Sequence, residues 1–367
     1  MERLANVIHQ FAFEGEYLDA EVCTFGHIND TFVLRFQQPE NKMGRYILQY
    51  INKHVFEEPA EVMANIQAVT SHLRSRIEEA GGDPERETIN LVPTQDGKPY
   101  YVSPEGDYWR AYYFIEGART YQSVENPKHF YHAGRAFGQF QKLLSDFPAH
   151  SLYETIEQFH DTRKRYSDFL EAVEADRHNR AGDVQREIEF VKARKADTGV
   201  IVDLIAAGEI PVRVTHNDTK LDNIMIDDAT GEGICVIDLD TVMPGSALYD
   251  FGDSIRFGAS SALEDEPDLS KVWLDMELFA EFTKGYLGIA REFLTDTEVD
   301  HLAFSAKLLT LECGMRFLTD HLNGDEYFRI HRPNHNLDRA RTQFKLVADM
   351  EGKMEQLEAM VRAALEE

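Results

Sequence analysis

The stretch THNDTKLDNIMID, residues 215–227, concentrates side chains that could bind a cation or move a proton. Asn223 follows Asp218 by five positions, and a second apolar run, ICVIDLD, ends on Asp238 and Asp240. Both runs have strand composition, and the turn sequence DDATGEG separates them, so together they predict one β-hairpin. Such a hairpin would present carboxylate and amide oxygens at its edges, and these are the ligands that Mg²⁺ prefers in proteins.

This combination of residues suits phosphoryl transfer. That reaction needs an aspartate to orient or deprotonate the attacking hydroxyl, and oxygen ligands for the magnesium ions that neutralise the phosphates. An Asp-to-Asn spacing of five, followed by a strand that ends in Asp, is typical of protein-kinase-like enzymes. The pattern therefore predicts Asp218 as the catalytic base and Asn223 and Asp238 as the metal ligands. His216 is predicted to be a structural residue that anchors the loop.

Taken singly, each of these residues has a simpler interpretation, because Asp and Asn are common in turns, where their side chains bond to nearby backbone. The complete order of loop, strand, turn, strand and aspartate, followed by YDFGD, favours the functional interpretation. Asp250 and Asp253 are predicted to be structural, either capping the following turn or bonding back to the loop. Three histidines lack the spacing of a metal site and receive no metal role: His160, His331 and His335.

The composition narrows the choice of partners. The chain has 38 basic and 65 acidic residues, a formal net charge of −27, which argues against nucleic acids and anionic membranes as main partners. No obligate protein partner is evident. The cysteines are few and far apart, and neither a signal peptide nor a run of about 18 apolar residues is present, so a cytoplasmic protein is expected.

The surrounding segments predict an α+β, bilobal fold. The predicted N-terminal nucleotide-binding lobe, residues 1–116, contains two strands, a helix that begins at Pro59, and three further strands in TINLVPT, PYYVS and YWRAYYFIEG. The predicted C-terminal lobe, residues 117–367, is mostly helical and contains the hairpin. Clefts between such lobes are where small-molecule sites tend to form.

Three segments, HNDTKLDNIMID, VIDLDTVMPGSALYDFGDSIRFGA and LECGMRFL, closely resemble the N-acetylhexosamine 1-kinases. These enzymes belong to the aminoglycoside phosphotransferase and choline kinase group, which has the protein-kinase-like fold. The similarity runs from FGHIN and RYILQ near the start to RTQFKLV near the end. It implies Mg²⁺-dependent transfer of the ATP γ-phosphate to the anomeric hydroxyl of N-acetylglucosamine or N-acetylgalactosamine.

The resemblance also implies roles for individual residues. The sugar would contact the base Asp218 and four further residues that are spread along the chain: His27, Asp240, Arg316 and Tyr327. On the nucleotide side, Gly26 is the single glycine of the turn CTFGHIND, and the link YYFIEGA would pass the adenine with Phe114 or Ile115 against the ring. Read alone, these two segments are also compatible with an ordinary turn and with a strand leaving the sheet.

Two glutamines depart from the general kinase plan. Gln49 stands where a phosphate-binding lysine is expected, and Gln67 stands where its glutamate partner is expected. Because glutamine cannot neutralise phosphate charge, another cation must contribute, and the candidates are Lys42, Arg45, Lys53 and Lys220. Gln49 also leaves open a nucleotide-binding scaffold without turnover.

The acceptor side leaves alternatives as well. Arg316 lies on an apolar helix four residues after Glu312, so it could form an intrahelical ion pair or contact a ligand. A choline-like or aminoglycoside acceptor is the alternative substrate. Such a cation calls for an aromatic cage or a carboxylate-lined cleft, and Arg316 would disfavour it.

Overall fold

A five-stranded antiparallel sheet forms the N-terminal part of the computed structural model, which describes residues 2–23, 28–124 and 126–366. Its strands are β1 (Glu16–Cys23), β2 (Asp30–Gln37), β3 (Met43–Tyr50), β4 (Tyr101–Val102) and β5 (Tyr108–Tyr113), in the spatial order β1-β2-β3-β5-β4. A short helix, α1 (Glu2–Ile8), precedes them. Apolar side chains of β2, β3 and β5, such as Leu34, Leu48 and Ala111, are fully buried in the core of this part.

Helices α2 (Pro59–Glu79) and α3 (Pro84–Glu87) follow β3. The apolar face that the spacing predicts in α2 is buried, from Val62 to Ile77. The strand predicted in TINLVPT is wrong, because the β-pairing of this segment consists of isolated bridges, one of them from Leu91 to Tyr112. Pro93 lies within the segment and has no N–H to donate to a ladder, which explains why no continuous strand forms.

The remainder is mostly helical. Its helices are α4 (Pro127–Leu143), α5 (Thr162–Ala175), α6 (Gln185–Lys192), α7 (Val200–Ala206), α8 (Ala247–Gly258), α9 (Met276–Ala290), α10 (Asp296–Asp300), α11 (Leu302–Leu322) and α12 (His335–Glu366). Its short strands are β6 (Ala118–Arg119), β7 (Arg213–Thr215), β8 (Ile224–Asp227), β9 (Gly233–Val236) and β10 (Met243–Gly245). The predicted α+β class, with a sheet-rich N-terminal part and a mostly helical remainder, is confirmed.

Helix α4 packs closely on α9 because glycines line the contact. A Cβ atom built on Gly134 would lie 2.4 Å from the carbonyl oxygen of Phe282, and one on Gly285 would lie 2.1 Å from that of Tyr131. Both distances are below van der Waals contact, so the two helices can approach this closely only without side chains at these positions. Within the described parts of the chain, no helix is both long and apolar enough to cross a membrane.

Candidate active site

The predicted hairpin forms. Strands β8 and β9 pair antiparallel, with Ile224 opposite Val236, and the loop from His216 to Asn223 connects β7 to β8. Asp238 and Asp240 lie two and four residues after the end of β9 at Val236. The hairpin therefore brings the ends of two separate sequence segments to one edge, as the alternation of apolar residues indicated.

The start of α8 holds the loop in place through Asp250. Its carboxylate accepts the backbone N–H of His216 at 3.0 Å, the backbone N–H of Asn217 at 2.8 Å and the side-chain amide of Gln141 at 2.7 Å. Asn217 itself adopts a left-handed backbone with φ of 65°. Asn tolerates this conformation better than most residues, and the two hydrogen bonds to Asp250 fix it.

Asp253 adds a second clamp one helical turn further along. It accepts the backbone N–H of Thr219 at 2.9 Å and the Nε of Arg256 at 2.9 Å. Both aspartates thus bond back to the loop that contains Asp218, which agrees with the structural roles expected for them.

His216 is fully buried beneath this loop. Its ring lies edge-on to Phe137 and Phe140, its Nε2 contacts the carbonyl oxygen of Ile237 at 2.8 Å, and its Nδ1 accepts the backbone N–H of Asp218 at 3.3 Å. These contacts connect α4, the loop and the strand that leads to Asp238. The position suits a residue that anchors the loop.

Asp218 lies between a cation and an amide. The Nζ of Lys220 is 2.8 Å from its Oδ1, and the Nδ2 of Asn223 donates to its backbone oxygen at 2.7 Å. Burial opposes ionisation of Asp218, but the attraction and hydrogen bonding of Lys220 outweigh this effect and lower the pKa of the carboxyl group. Asp218 is therefore held as a carboxylate, the form that can accept a proton from a hydroxyl.

Asp238 adopts a left-handed backbone, with φ of 60° and ψ of 58°, at the start of a short helical turn. Asp238 as a whole is exposed to solvent. Desolvation of its carboxyl group by the surrounding protein, together with the negative charges of Asp240 and Asp218, nevertheless raises its pKa to about 7. A divalent cation at this position would relieve the repulsion among the three carboxylates.

The donor set at this edge fits magnesium held jointly with a nucleotide. Because the Asn223 amide nitrogen donates to Asp218, its Oδ1 is the atom available to a cation, alongside the carboxylate of Asp238. Among the described residues, no group of three or more His, Cys, Asp or Glu side chains could hold a metal ion. Mg²⁺ commonly uses one or two carboxylates and takes its remaining ligands from phosphates and water, so this sparse set is sufficient.

Of the candidate phosphate-binding cations, only Lys220 contacts Asp218. The other three have partners elsewhere: Lys42 pairs with Glu40, Arg45 with Glu116, and Lys53 with Asp107. Gln67 is exposed on α2, and the Gln49 side chain is bonded within the sheet to Thr31 and Arg110. Gln49 and Gln67 therefore do not form an uncharged equivalent of the lysine–glutamate pair of the general kinase plan.

The sequence analysis missed Arg110 on β5. This arginine is 1% exposed and forms an ion pair with Asp240, which is 4% exposed. Asn29 donates to the other carboxylate oxygen of Asp240 at 2.6 Å. A signal was present in the sequence, since an arginine inside the apolar strand YWRAYYF needs a buried partner.

Arg316 and Tyr327, two of the residues predicted to contact the sugar, lie in one aromatic group. The guanidinium of Arg316 on α11 is 5.0 Å from the ring of Phe159, 5.5 Å from that of Phe328 and 5.9 Å from that of Tyr327. Tyr327 is 64% exposed, so this aromatic group faces open space.

Arg316 does not pair with Glu312 in the structure. The Glu312 carboxylate instead contacts the Nδ1 of His160 at 2.7 Å and accepts the hydroxyl of Thr162. The Nε2 of His160 lies 3.2 Å from the carbonyl oxygen of Asn217, the residue before Asp218. His160 thus connects the loop that contains Asp218 to the helix that bears Arg316.

Two of the residues predicted to contact the nucleotide lie in the described part of the chain. Phe114 and Ile115 follow β5, where Ile115 is buried and the guanidinium of Arg45 lies 3.8 Å above the Phe114 ring. Gly26 and His27 lie outside the described residues, so their predicted contacts with nucleotide and sugar stay predictions.

A sheet-rich part joined to a helical part, with an Asp–Asn–Asp hairpin at its edge, is typical of kinase-type phosphotransferases. The chain belongs to the phosphotransferase enzyme family APH, which it matches over residues 21–286.

Its fold is similar to that of several solved kinases. A microcompartment-associated aminopropanol kinase is 14% identical, with a TM-score of 0.63 and coverage of 97% of this chain and 98% of the other. The amicoumacin kinase hAmiN, in complex with AMP-PNP, Ca²⁺ and Ami, is 12% identical with a TM-score of 0.56, covering 96% and 93%. A choline/ethanolamine kinase family protein from Mesorhizobium loti is 18% identical with a TM-score of 0.55, covering all of both chains. At these identities the likeness extends to the fold alone.

Proposed function

We propose that this protein is a Mg²⁺-dependent kinase that transfers the γ-phosphate of ATP to the anomeric hydroxyl of N-acetylglucosamine or N-acetylgalactosamine. Membership of the phosphotransferase family supports the reaction class, and the AMP-PNP complex of the similar amicoumacin kinase supports ATP as the donor. A reducing, cytoplasmic setting agrees with three cysteines that are all free thiols.

The observation that carries the reaction is the arrangement around Asp218. An ionised Asp218 accepts the proton of the attacking hydroxyl, while Lys220, 2.8 Å from it, neutralises charge on the transferring phosphoryl group. Asn223 and Asp238 would hold magnesium, which supplies charge neutralisation at the phosphates when bound. Positioning and electrostatics account for most of the acceleration in such reactions, and the two clamps from α8 keep the loop rigid.

The observation that favours a neutral sugar over a cationic acceptor is Arg316. Its guanidinium occupies the aromatic group beside the loop, which an ammonium would otherwise use as a cage. A sugar hydroxyl or N-acetyl oxygen can accept hydrogen bonds from a guanidinium, whereas an ammonium is repelled by it.

An amino alcohol or aminoglycoside remains the second candidate. The similar fold of kinases described as acting on aminopropanol and as belonging to the choline/ethanolamine family favours it. The net charge of −27 is also compatible with a cationic acceptor.

The test is incubation with ATP, Mg²⁺ and one acceptor at a time, followed by phosphorus NMR of the product. The acceptors are N-acetylglucosamine, N-acetylgalactosamine, choline and an aminoglycoside. Phosphate on C1 of an N-acetylhexosamine is expected. Phosphate on C6 would reject the 1-kinase proposal and leave the kinase assignment standing, whereas product from choline alone would reject the sugar.

Two variants test the residues. Asp218→Asn should lower kcat by about 10²- to 10⁴-fold while nucleotide binding survives, because a positioned base is lost. Asp228→Asn is the matched control, since Asp228 is in the turn of the same hairpin and bonds to Arg119. Arg316→Met should raise the KM for the sugar and leave the KM for ATP unchanged. Wild-type turnover in Asp218→Asn would refute the assignment of the base.

A further inference from the structure

A row of polar side chains crosses three adjacent strands of the N-terminal sheet. Thr31 of β2 is the register partner of Gln49 of β3, and Gln49 is the register partner of Arg110 of β5. The Gln49 amide donates to the Thr31 hydroxyl at 3.0 Å, and Arg110 Nε donates to the Gln49 carbonyl at 2.9 Å. The glutamine that replaces the expected lysine therefore orients an arginine on the next strand.

The charged end of this row reaches across to the helical part. Arg110 pairs with Asp240, and the second oxygen of Asp240 accepts Asn29 Nδ2, which also belongs to the N-terminal part. Asn29 is itself held by the backbone N–H of Asn52 at 3.0 Å. Two N-terminal side chains thus converge on one carboxylate, and the ion pair is almost entirely removed from water.

Asp240 is two residues after Asp238, and the two share a short turn. Asp238 has left-handed backbone angles, and the helical turn Leu239–Thr241 begins immediately after it. A non-glycine residue holds such a backbone only where its surroundings fix it. The anchor on Asp240 is therefore well placed to fix the direction of the Asp238 carboxylate.

We propose that Arg110 is the positioning residue that replaces the missing lysine of β3, acting through Asp240 to orient Asp238 for the metal–nucleotide complex. This inference rests on the proposed function, in which Asp238 is a metal ligand. Arg110 stays buried and bonded to Asp240 rather than contacting the phosphates. The positive charge thus lies on β5, next to the β3 position where the lysine is expected. It would act on the phosphates through the metal rather than by direct contact.

The rival explanation is that the pair only stabilises the fold. The two explanations separate in the double variant Arg110→Met/Asp240→Asn. Each single change leaves a buried charge or its partner uncompensated and should lower the unfolding temperature, whereas the double variant removes both charges and should recover most of that loss. A purely structural pair then predicts that binding recovers together with stability.

The readout is binding of Mn²⁺ with a non-hydrolysable ATP analogue, followed by the electron paramagnetic resonance signal of free Mn²⁺. It requires no acceptor, so it is independent of the identity of the sugar. We expect the affinity to fall at least about tenfold in both single variants, and to stay low in the double variant although its unfolding temperature recovers. Arg110→Lys keeps the charge but loses the fork geometry, and should bind better than Arg110→Met.

Arg35→Met is the matched control, because Arg35 lies on β2 of the same sheet and pairs with the exposed Asp19 at 2.6 Å. Wild-type affinity in the double variant, or in Arg110→Met alone, would overturn the positioning role and leave the proposed kinase untouched. A wild-type protein that binds no Mn²⁺–nucleotide would overturn the proposed function and this inference together.

Discussion

The carboxylate of Asp250 offers a local test of how the loop that contains Asp218 is held. Its Oδ2 accepts from the His216 N–H and the Gln141 amide, and its Oδ1 accepts from the Asn217 N–H. In Asp250→Asn the remaining oxygen can serve the two donors at the Oδ2 position, so the new NH₂ group faces the Asn217 N–H. One buried N–H then has no acceptor, which costs about 1–3 kcal/mol.

This penalty can be measured at the amide itself. A free energy of about 1–3 kcal/mol corresponds to roughly 5- to 150-fold faster hydrogen exchange at Asn217, provided that local opening limits exchange. Hydrogen-exchange mass spectrometry of the peptide around residues 213–222 reports it. We expect kcat to fall about 10- to 100-fold as well, because a shift of about 1 Å in Asp218 is enough for such a loss.

Glu355→Gln is the control, since Glu355 is exposed on α12 and its substitution removes the same charge. It should change neither exchange in the loop nor kcat. Unaltered exchange at Asn217 in Asp250→Asn would refute the reasoning, whatever happens to turnover, because the hydrogen bond to Asp250 would then contribute nothing to holding the loop.

Two further predictions concern Lys220 and the contact between α4 and α9. Lys220→Met should lower kcat by at least about tenfold, because charge stabilisation is lost. Lys53→Met is the control and should leave kcat unchanged, because Lys53 pairs with Asp107 rather than Asp218. Steady-state kinetics with the acceptor identified by NMR compares the two variants. Gly134→Ala should destabilise the protein by about 1–3 kcal/mol, since its Cβ would overlap Phe282 on α9. Gly288→Ala, on the same helix α9 but with open space around the new Cβ, should be neutral or slightly stabilising in denaturant unfolding.

The parts of the site that could be predicted from the sequence are those encoded within a short segment. The hairpin that carries Asp218 and Asp238 depends on two apolar runs and the turn between them, and it forms as predicted. The buried face of α2 likewise follows from spacing within one helix. The roles of the site residues in binding and catalysis stay predictions.

The features that escaped prediction depend on contacts between distant segments. The ion pair of Arg110 with Asp240 requires β5 to lie beside β3, an order that no local pattern specifies. Similarly, the sequence allowed Glu312 to pair with Arg316 on its own helix. Its partner is instead His160, 152 positions earlier in the chain. In both cases burial decides, because a buried charge takes the partner that the packing provides rather than the nearest one in sequence.

The distribution of charge at the site points to where a divalent ion is needed. Three carboxylates lie close together, and two of them have cations of their own, Asp218 with Lys220 and Asp240 with Arg110. Asp238 forms no ion pair with any residue in the described parts of the chain, and desolvation of its carboxyl group together with the negative charges of its neighbours raises its pKa. A site for permanent structural charges would pair all three. Among the described residues one carboxylate is thus left without a protein cation, and Asn223 on the same hairpin has an amide oxygen to offer; this is the arrangement expected where the positive charge arrives with the nucleotide.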